Sequence, residues 1–252
     1  MNPIGWLTIL CCSTFVTCLD QPQNVFILAG QSNMAGRGGL INGAWDQKVP
    51  AECQPSPKIL RFNGKLAWEE AHDPLHVDID HKVSGIGPGM SFANTLLAKD
   101  PTIGVIGLVP CAVGGTKIGE WEKGMKLYND MIDRTKASLK DGGALRALLW
   151  YQGESDTKFL QDTESYKAKF EKFIADVRAD LQMPTLPVVQ VLVTSGDGKF
   201  VEEMRANQQA IKVANLKQVD SKGLELIFDN VHLSTVGAIK LGQMLADAFL
   251  QF

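Results

Sequence analysis

Two kinds of apolar segment alternate along the chain. Short runs in which nearly every position is apolar occur at 24–29, 103–109, 145–151, 188–193 and 224–228. Near-continuous apolar runs of that length, rather than alternating ones, predict strands covered on both faces, as in a parallel sheet. Longer stretches between them carry apolar residues at helical spacing and predict helices over 89–99, 126–140, 164–181, 201–219 and 234–250. Pro88-Gly89 opens the first of these and Asp100-Pro101 stops it. In the third, Phe170, Phe173, Ile174 and Val177 share one face and should lie on the sheet. Strand and helix in alternation imply right-handed βαβ units. The expected fold is therefore α/β, with three layers (α/β/α) around a central, mainly parallel five-stranded sheet.

The segment 42–85 departs from this pattern, being polar and rich in Pro and His. Loops of such length in compact domains usually carry function or cover a site. In open α/β sheets the ligand crevice lies beyond the carboxyl ends of the strands. The residues that follow the five strands are thus where chemistry is expected.

No repeat, low-complexity tract or linker divides the sequence, and 20–252 reads as one domain. A chain of 252 residues can bury a large core without disulfides or metals. Residues 1–19 read differently. Trp6 through Thr17 is apolar or small, and no charged side chain lies between Met1 and Asp20. The run is too short to span a bilayer comfortably but suits the core of a secretory signal peptide, with Val16 and Cys18 before a cleavage site near Leu19. Its n-region lacks Lys and Arg, and a buried N-terminal helix is the alternative. The expectation is a secreted, extracellular protein, with the cell wall as one destination and no membrane contact once the leader is removed.

Cys11, Cys12 and Cys18 fall in that leader, leaving Cys53 and Cys111. These two either pair in an oxidising compartment or stand as independent half-buried thiols, and the sequence leaves both open. The formal net charge is -3, and no basic stripe interleaved with aromatics is present. That argues against nucleic acid as a partner, since binding it depends on many Lys and Arg contacts to phosphate.

The first strand runs into Gly30-Gln31-Ser32-Asn33-Met34-Ala35-Gly36. A serine on a tight turn after a buried strand presents its hydroxyl above the sheet edge, with free backbone N–H groups beside it. A phosphate cradle would use the same glycines, but the P-loop Lys and the dinucleotide spacing are both missing. Asp229 and His232 follow the last predicted strand, three apart, so that a carboxylate can orient an imidazole toward a hydroxyl. Taken alone, a helix cap and a surface histidine would explain them as well. Two further strand ends offer oxyanion donors: Gly114 and Gly115 in one, the Gln152 amide in the other. With the Ser32 N–H they would stabilise the tetrahedral intermediate of acyl transfer.

Gly-Gln-Ser-Asn-Met-Ala-Gly at 30–36, Gly-Gly-Thr at 114–116, Trp-Tyr-Gln-Gly-Glu-Ser-Asp at 150–156 and Asp-x-x-His at 229–232 occur in that order. Together they resemble the sialic-acid-acetylesterase-like branch of the SGNH hydrolases, close to carbohydrate esterase family six and its plant members. The resemblance spans nearly all of the chain after the leader and implies an SGNH-type, flavodoxin-like sheet. By the same likeness Ser32 is the nucleophile, His232 the base and Asp229 its orienter. An acyl-enzyme would form without metal or other cofactor, and the substrate would be an acetylated carbohydrate. The usual Gly-Asp-Ser of the first block reads Gly-Gln-Ser here, and Gln152 replaces the usual oxyanion Asn.

His72, Asp73, His76, Asp78, Asp80 and His81 invite a metal site, but Pro74 breaks any common face, and a loop bordering the active site is the favoured reading. Related esterases carry a similar Pro-Leu-His stretch, which makes His76 and Asp78 candidate substrate contacts. Glu154 reads as structural, because glycoside hydrolysis would need a second acid at a defined separation. Three rival activities stay open at this stage. They are an esterase or lipase for longer acyl chains, a non-catalytic carbohydrate-binding protein on a hydrolase scaffold, and metal-dependent hydrolysis through the 72–81 loop.

Overall fold

The computed structural model describes residues 21–252. The leader expected at 1–19, with Cys11, Cys12 and Cys18, lies outside the described residues. The elements in order are β1 (Asn24–Gly30), α1 (Ser32–Ala35), β2 (Leu40–Ile41), β3 (Ala44–Trp45), β4 (Ile59–Phe62), β5 (Trp68–Glu70), α2 (Pro88–Lys99), β6 (Ile106–Pro110), α3 (Lys126–Ser138), β7 (Ala144–Tyr151), α4 (Leu160–Asp180), β8 (Val188–Leu192), α5 (Val201–Gln209), β9 (Leu216–Asp220) and α6 (Thr235–Phe249). β2 and β3 form a small separate hairpin.

The main sheet has seven strands in the order β5-β4-β6-β1-β7-β8-β9. All neighbours are parallel except the edge pair β4–β5. The strands β6-β1-β7-β8-β9 make the expected flavodoxin-like order, and β4 and β5 extend it to seven where five were expected. Both added strands lie in the polar segment. β4 is Ile-Leu-Arg-Phe, fully buried, and its Arg61 is neutralised by Glu69 at 2.6 Å and Asp78 at 2.7 Å. A buried but paired arginine hides a strand from any reading of apolar runs.

Two boundaries near the carboxyl end also differ from expectation. The helix expected over 201–219 stops at Gln209, and Asn215, at φ 52°, turns the chain into β9. β9 is a partly exposed edge strand whose sequence, Leu-Lys-Gln-Val-Asp, is mostly polar, so no apolar run marks it. The apolar run 224–228, expected as the last strand, is a loop closed by an antiparallel bridge between Leu226 and Leu233.

Ring contacts define the two helical layers. Phe26 in β1 packs edge-on against Phe92 of α2 and Phe249 of α6. Trp150 in β7 instead meets Phe170 and Phe173 of α4, and Tyr128 of α3 joins Phe173. Each of these rings is almost wholly removed from water, worth roughly 1.5–3 kcal/mol apiece. Cys53 and Cys111 are separate buried thiols. The chain passes from β1 to one side of the sheet and returns through β7 on the other, so the strand order reverses at β1. A ligand crevice in such a sheet forms outside the carboxyl end of the strand at that reversal.

Candidate active site

Ser32 begins where β1 ends. Gly30 has φ 128°, and a Cβ there would stand 2.0 Å from the Tyr151 carbonyl oxygen, so only glycine lets β1 and β7 lie this close as the chain turns. The one-turn helix α1 follows, and its first N–H groups have no intrahelical partner.

The other half of the site comes from 225–234. Ile227 N–H donates to His232 O at 2.8 Å and Ser234 N–H to Glu225 O at 2.9 Å, while Asn230 adopts φ 57°. Ser234 caps α6, its Oγ accepting the Gly237 N–H at 3.1 Å. The tight loop holds Asp229 and His232 at its tip. His232 Nδ1 is 2.6 Å from Asp229 Oδ2, and Nε2 is 2.9 Å from Ser32 Oγ. Asp229 Oδ1 accepts the backbone N–H groups of Val231 and His232, each at 2.9 Å. Partial burial pushes the Asp229 carboxyl up, but the hydrogen bonds from His232 and Val231 outweigh it and hold it below the usual carboxylate range. Ser32, Asp229 and His232, expected together from sequence, do meet.

The remaining expected donors divide. The 111–115 turn lies along the end of β1, with Cys111 N–H on Leu28 O and Val113 N–H on Gly30 O. Gly114 sits against the serine: a Cβ there would be 3.4 Å from Ser32 Cβ and 2.4 Å from Arg37 Nη2. Its N–H, however, donates to Asp80 Oδ1 at 3.2 Å. The Gly115 N–H makes no hydrogen bond among the described residues. Gln152 is fully buried, and its Nε2 donates to Thr116 O at 2.9 Å and Asp156 Oδ2 at 2.6 Å. Both its hydrogens are therefore engaged, and the amide braces two loops, contrary to the expected oxyanion donor. Burial raises the Asp156 carboxyl to about 6, against hydrogen bonds from Gln152 and the Ile118 N–H.

His76 is 1% exposed, with Nε2 facing Leu28 O at 3.5 Å, so the expected substrate contact is a core residue. Burial lowers its imidazole to about 4. Asp78 is committed to Arg61 and the Gly64 N–H. It lines a cavity of about 420 Å³ with Ile79, His81, Cys111 and Val113, which includes none of Ser32, Asp229 and His232. Asp80 forms a buried ion pair with Arg37 at 2.6 Å. The 72–81 carboxylates and imidazoles thus do not converge, and among the described residues no group of three metal-ligating side chains is assembled.

The family model for "Carbohydrate esterase, sialic acid-specific acetylesterase" matches residues 22–251. The chain belongs to this carbohydrate esterase family. It is a carboxylic ester hydrolase. The esterase is 50% identical over 237 residues to the probable carbohydrate esterase At4g34215 of Arabidopsis thaliana, covering 91% of each chain. The crystal structure of that Arabidopsis protein superposes with a TM-score of 0.88 at 49% identity, over 91% of this chain and 98% of the other. NanS shares the fold at 18% identity, with a TM-score of 0.71 over 92% and 98% of the two chains.

Sequence reasoning missed three groups at the esterase's site. Asn33 and Ser195 both bind the loop that carries His232, and the Arg37–Asp80 pair backs Gly114. Ser195 follows β8, so the strand-end rule could have flagged it. Asn33 lies inside the Gly-Gln-Ser-Asn-Met-Ala-Gly motif, but a side chain whose partners lie 121 to 200 residues away has no local signature.

Proposed function

We propose that the esterase removes O-acetyl groups from carbohydrate through an acetyl-Ser32 intermediate. The observation that carries this reading is the continuous contact from Ser32 Oγ through His232 to Asp229, at 2.9 and 2.6 Å, beside the carboxyl end of β1. In this reading His232 Nε2 takes the Ser32 proton as Oγ attacks the acetyl carbonyl. The Asp229 carboxylate holds the Nδ1–H tautomer and stabilises the imidazolium that forms. Fixed N–H groups of Ser32 and Gly115 stabilise the tetrahedral oxyanion, with Gly114 and Gln152 committed elsewhere. Collapse expels the sugar hydroxyl, which receives its proton from His232. Water activated by the same imidazole then attacks the acetyl carbon, releasing acetate and restoring Ser32.

The carbohydrate part is supported by the family description and by the name of the Arabidopsis relative. Export through a cleaved leader belongs to the same proposal and rests on the apolar run at 6–17. N-terminal sequencing of the extracellular protein tests it, with a start near residue 20 expected.

The substrate test measures acetate released from a panel of acetylated polysaccharides, alongside p-nitrophenyl esters of increasing chain length. Acetate release from at least one polymer, and faster turnover of acetate than butyrate, are expected. Preference for longer acyl chains with no polymer deacetylated would reject the reading.

A further inference from the structure

Asn33 directly follows the proposed nucleophile, yet no step of the reaction uses its side chain. That side chain is buried, and its hydrogen-bonding groups are all engaged. Nδ2 donates to Glu154 Oε1 at 2.6 Å and to Val231 O at 3.2 Å, and Oδ1 accepts the Leu233 N–H at 2.8 Å. Val231 and Leu233 flank His232. One amide therefore grips the backbone on both sides of the residue whose imidazole faces Ser32. Ser195 Oγ adds a second donor to Val231 O at 2.6 Å.

The grip works in a single amide orientation. Turned over, the oxygen would face the Val231 carbonyl and the NH2 group would face the Leu233 N–H, two like-with-like contacts. The ionised Glu154 carboxylate selects the working orientation, because it accepts the second Nδ2 hydrogen and has no hydrogen to offer a turned-over amide oxygen. Burial raises that carboxyl to about 7, against the hydrogen bond from Asn33. Neutral or charged, its Oε1 keeps a lone pair for Asn33.

We propose that Asn33 is a positioning residue for ester hydrolysis, setting the His232 ring against Ser32 Oγ through the backbone of residues 231 and 233, with Glu154 fixing its amide. Serine and histidine come from opposite ends of the chain, and this contact ties the Ser32 turn to the His232 loop beside the reacting atoms. A shift of about 1 Å between reacting groups is enough to cost on the order of 100-fold in rate. The inference rests on the serine mechanism proposed above.

The test compares Asn33→Asp, Glu154→Ala and Glu154→Gln with wild type. Steady-state turnover of p-nitrophenyl acetate is measured together with the rate and final extent of Ser32 labelling by a fluorophosphonate. Asn33→Asp replaces the donor with an oxygen facing two acceptors. It should lower kcat about 10- to 100-fold while KM stays within about threefold. Its labelled fraction should match wild type, reached more slowly. Glu154→Ala should lower kcat in the same way, and Glu154→Gln, whose amide oxygen still accepts from Asn33, should restore most of it.

Wild-type kcat in Asn33→Asp would overturn the proposal, as would a rise in KM alone. A kcat loss matched by an equal loss of labelled protein would overturn it too, by reducing Asn33 to a folding role. Should Asn33→Asp not fold, wild-type kcat in Glu154→Ala overturns it. Failure of the underlying serine mechanism is seen separately, as full turnover by Ser32→Ala and no labelling of the wild-type protein.

Discussion

Asp229 holds His232 at two places at once, accepting its backbone N–H on Oδ1 at 2.9 Å and meeting its Nδ1 on Oδ2 at 2.6 Å. A carboxylate anchored to the same residue it orients leaves the imidazole little freedom. Asp229→Asn keeps the shape but loses the negative charge, and its NH2 group can face Nδ1 only by favouring the wrong tautomer. We expect kcat for p-nitrophenyl acetate to fall about 100- to 10,000-fold with little change in melting temperature. A loss below tenfold would remove Asp229 from the proposed relay.

The Arg37–Asp80 pair is a stability element behind the Gly114 turn. Its side chains are 5% and 0% exposed, so neither charge is solvated once its partner is gone. Asp80→Ala should cost about 3–5 kcal/mol in urea unfolding, because it strands a buried guanidinium. A cost under about 1 kcal/mol would mean that water reaches Arg37 in the native state.

Gln152 separates two accounts of the oxyanion hole. Were its amide a donor to the intermediate, Gln152→Ala would lower kcat by about 100- to 1,000-fold. Its Nε2 bonds to Thr116 O and Asp156 Oδ2 predict another result. Stability should fall measurably while kcat of the folded enzyme drops less than about tenfold. Active-site titration with a fluorophosphonate normalises the rate to folded protein and decides between them.

Asp73 gives the fold a pH dependence of defined sign. Burial raises its carboxyl from 3.8 to about 7, so the native state keeps a proton that the unfolded chain releases. Its stabilising contribution is complete below the unfolded value and is lost as pH rises through about 7. Asp73→Asn cannot ionise. Between about pH 4 and pH 7 the wild type should lose more melting temperature than this variant. Parallel curves would contradict the assignment.

Much of the fold is legible because central strands of a doubly covered sheet are apolar at nearly every position, as in 24–29 and 145–151, where Asn24 and Arg146 are the polar members. The rest failed where tertiary context overrides that rule. β4 hides behind Arg61, whose charge is cancelled by residues from β5 and from the following loop. β9 lies at an edge, is mostly polar and falls almost wholly inside the helix expected over 201–219, while 224–228 is apolar except for Glu225 yet forms a loop in which Phe228 is 83% exposed. At the site, Ser32 does follow a strand, β1, whereas Asp229 and His232 follow a loop where a strand was expected, so only the Asp-x-x-His motif marks them in the sequence. The donor roles of Gly114 and Gln152 are not legible there, since they depend on which acceptors, Asp80 and Asp156, occupy their hydrogens. The likeness of the Pro-Leu-His stretch to a substrate loop misled for His76, which packs under β1.

Acid-quenched mass spectrometry during turnover tests the central claim most directly. Wild-type enzyme mixed with p-nitrophenyl acetate should carry one acetyl group on the peptide containing Ser32, and Ser32→Ala should carry none and release no nitrophenol above background. Turnover by Ser32→Ala at the wild-type rate, or an acetyl group trapped on a different residue that the turnover requires, would contradict the account.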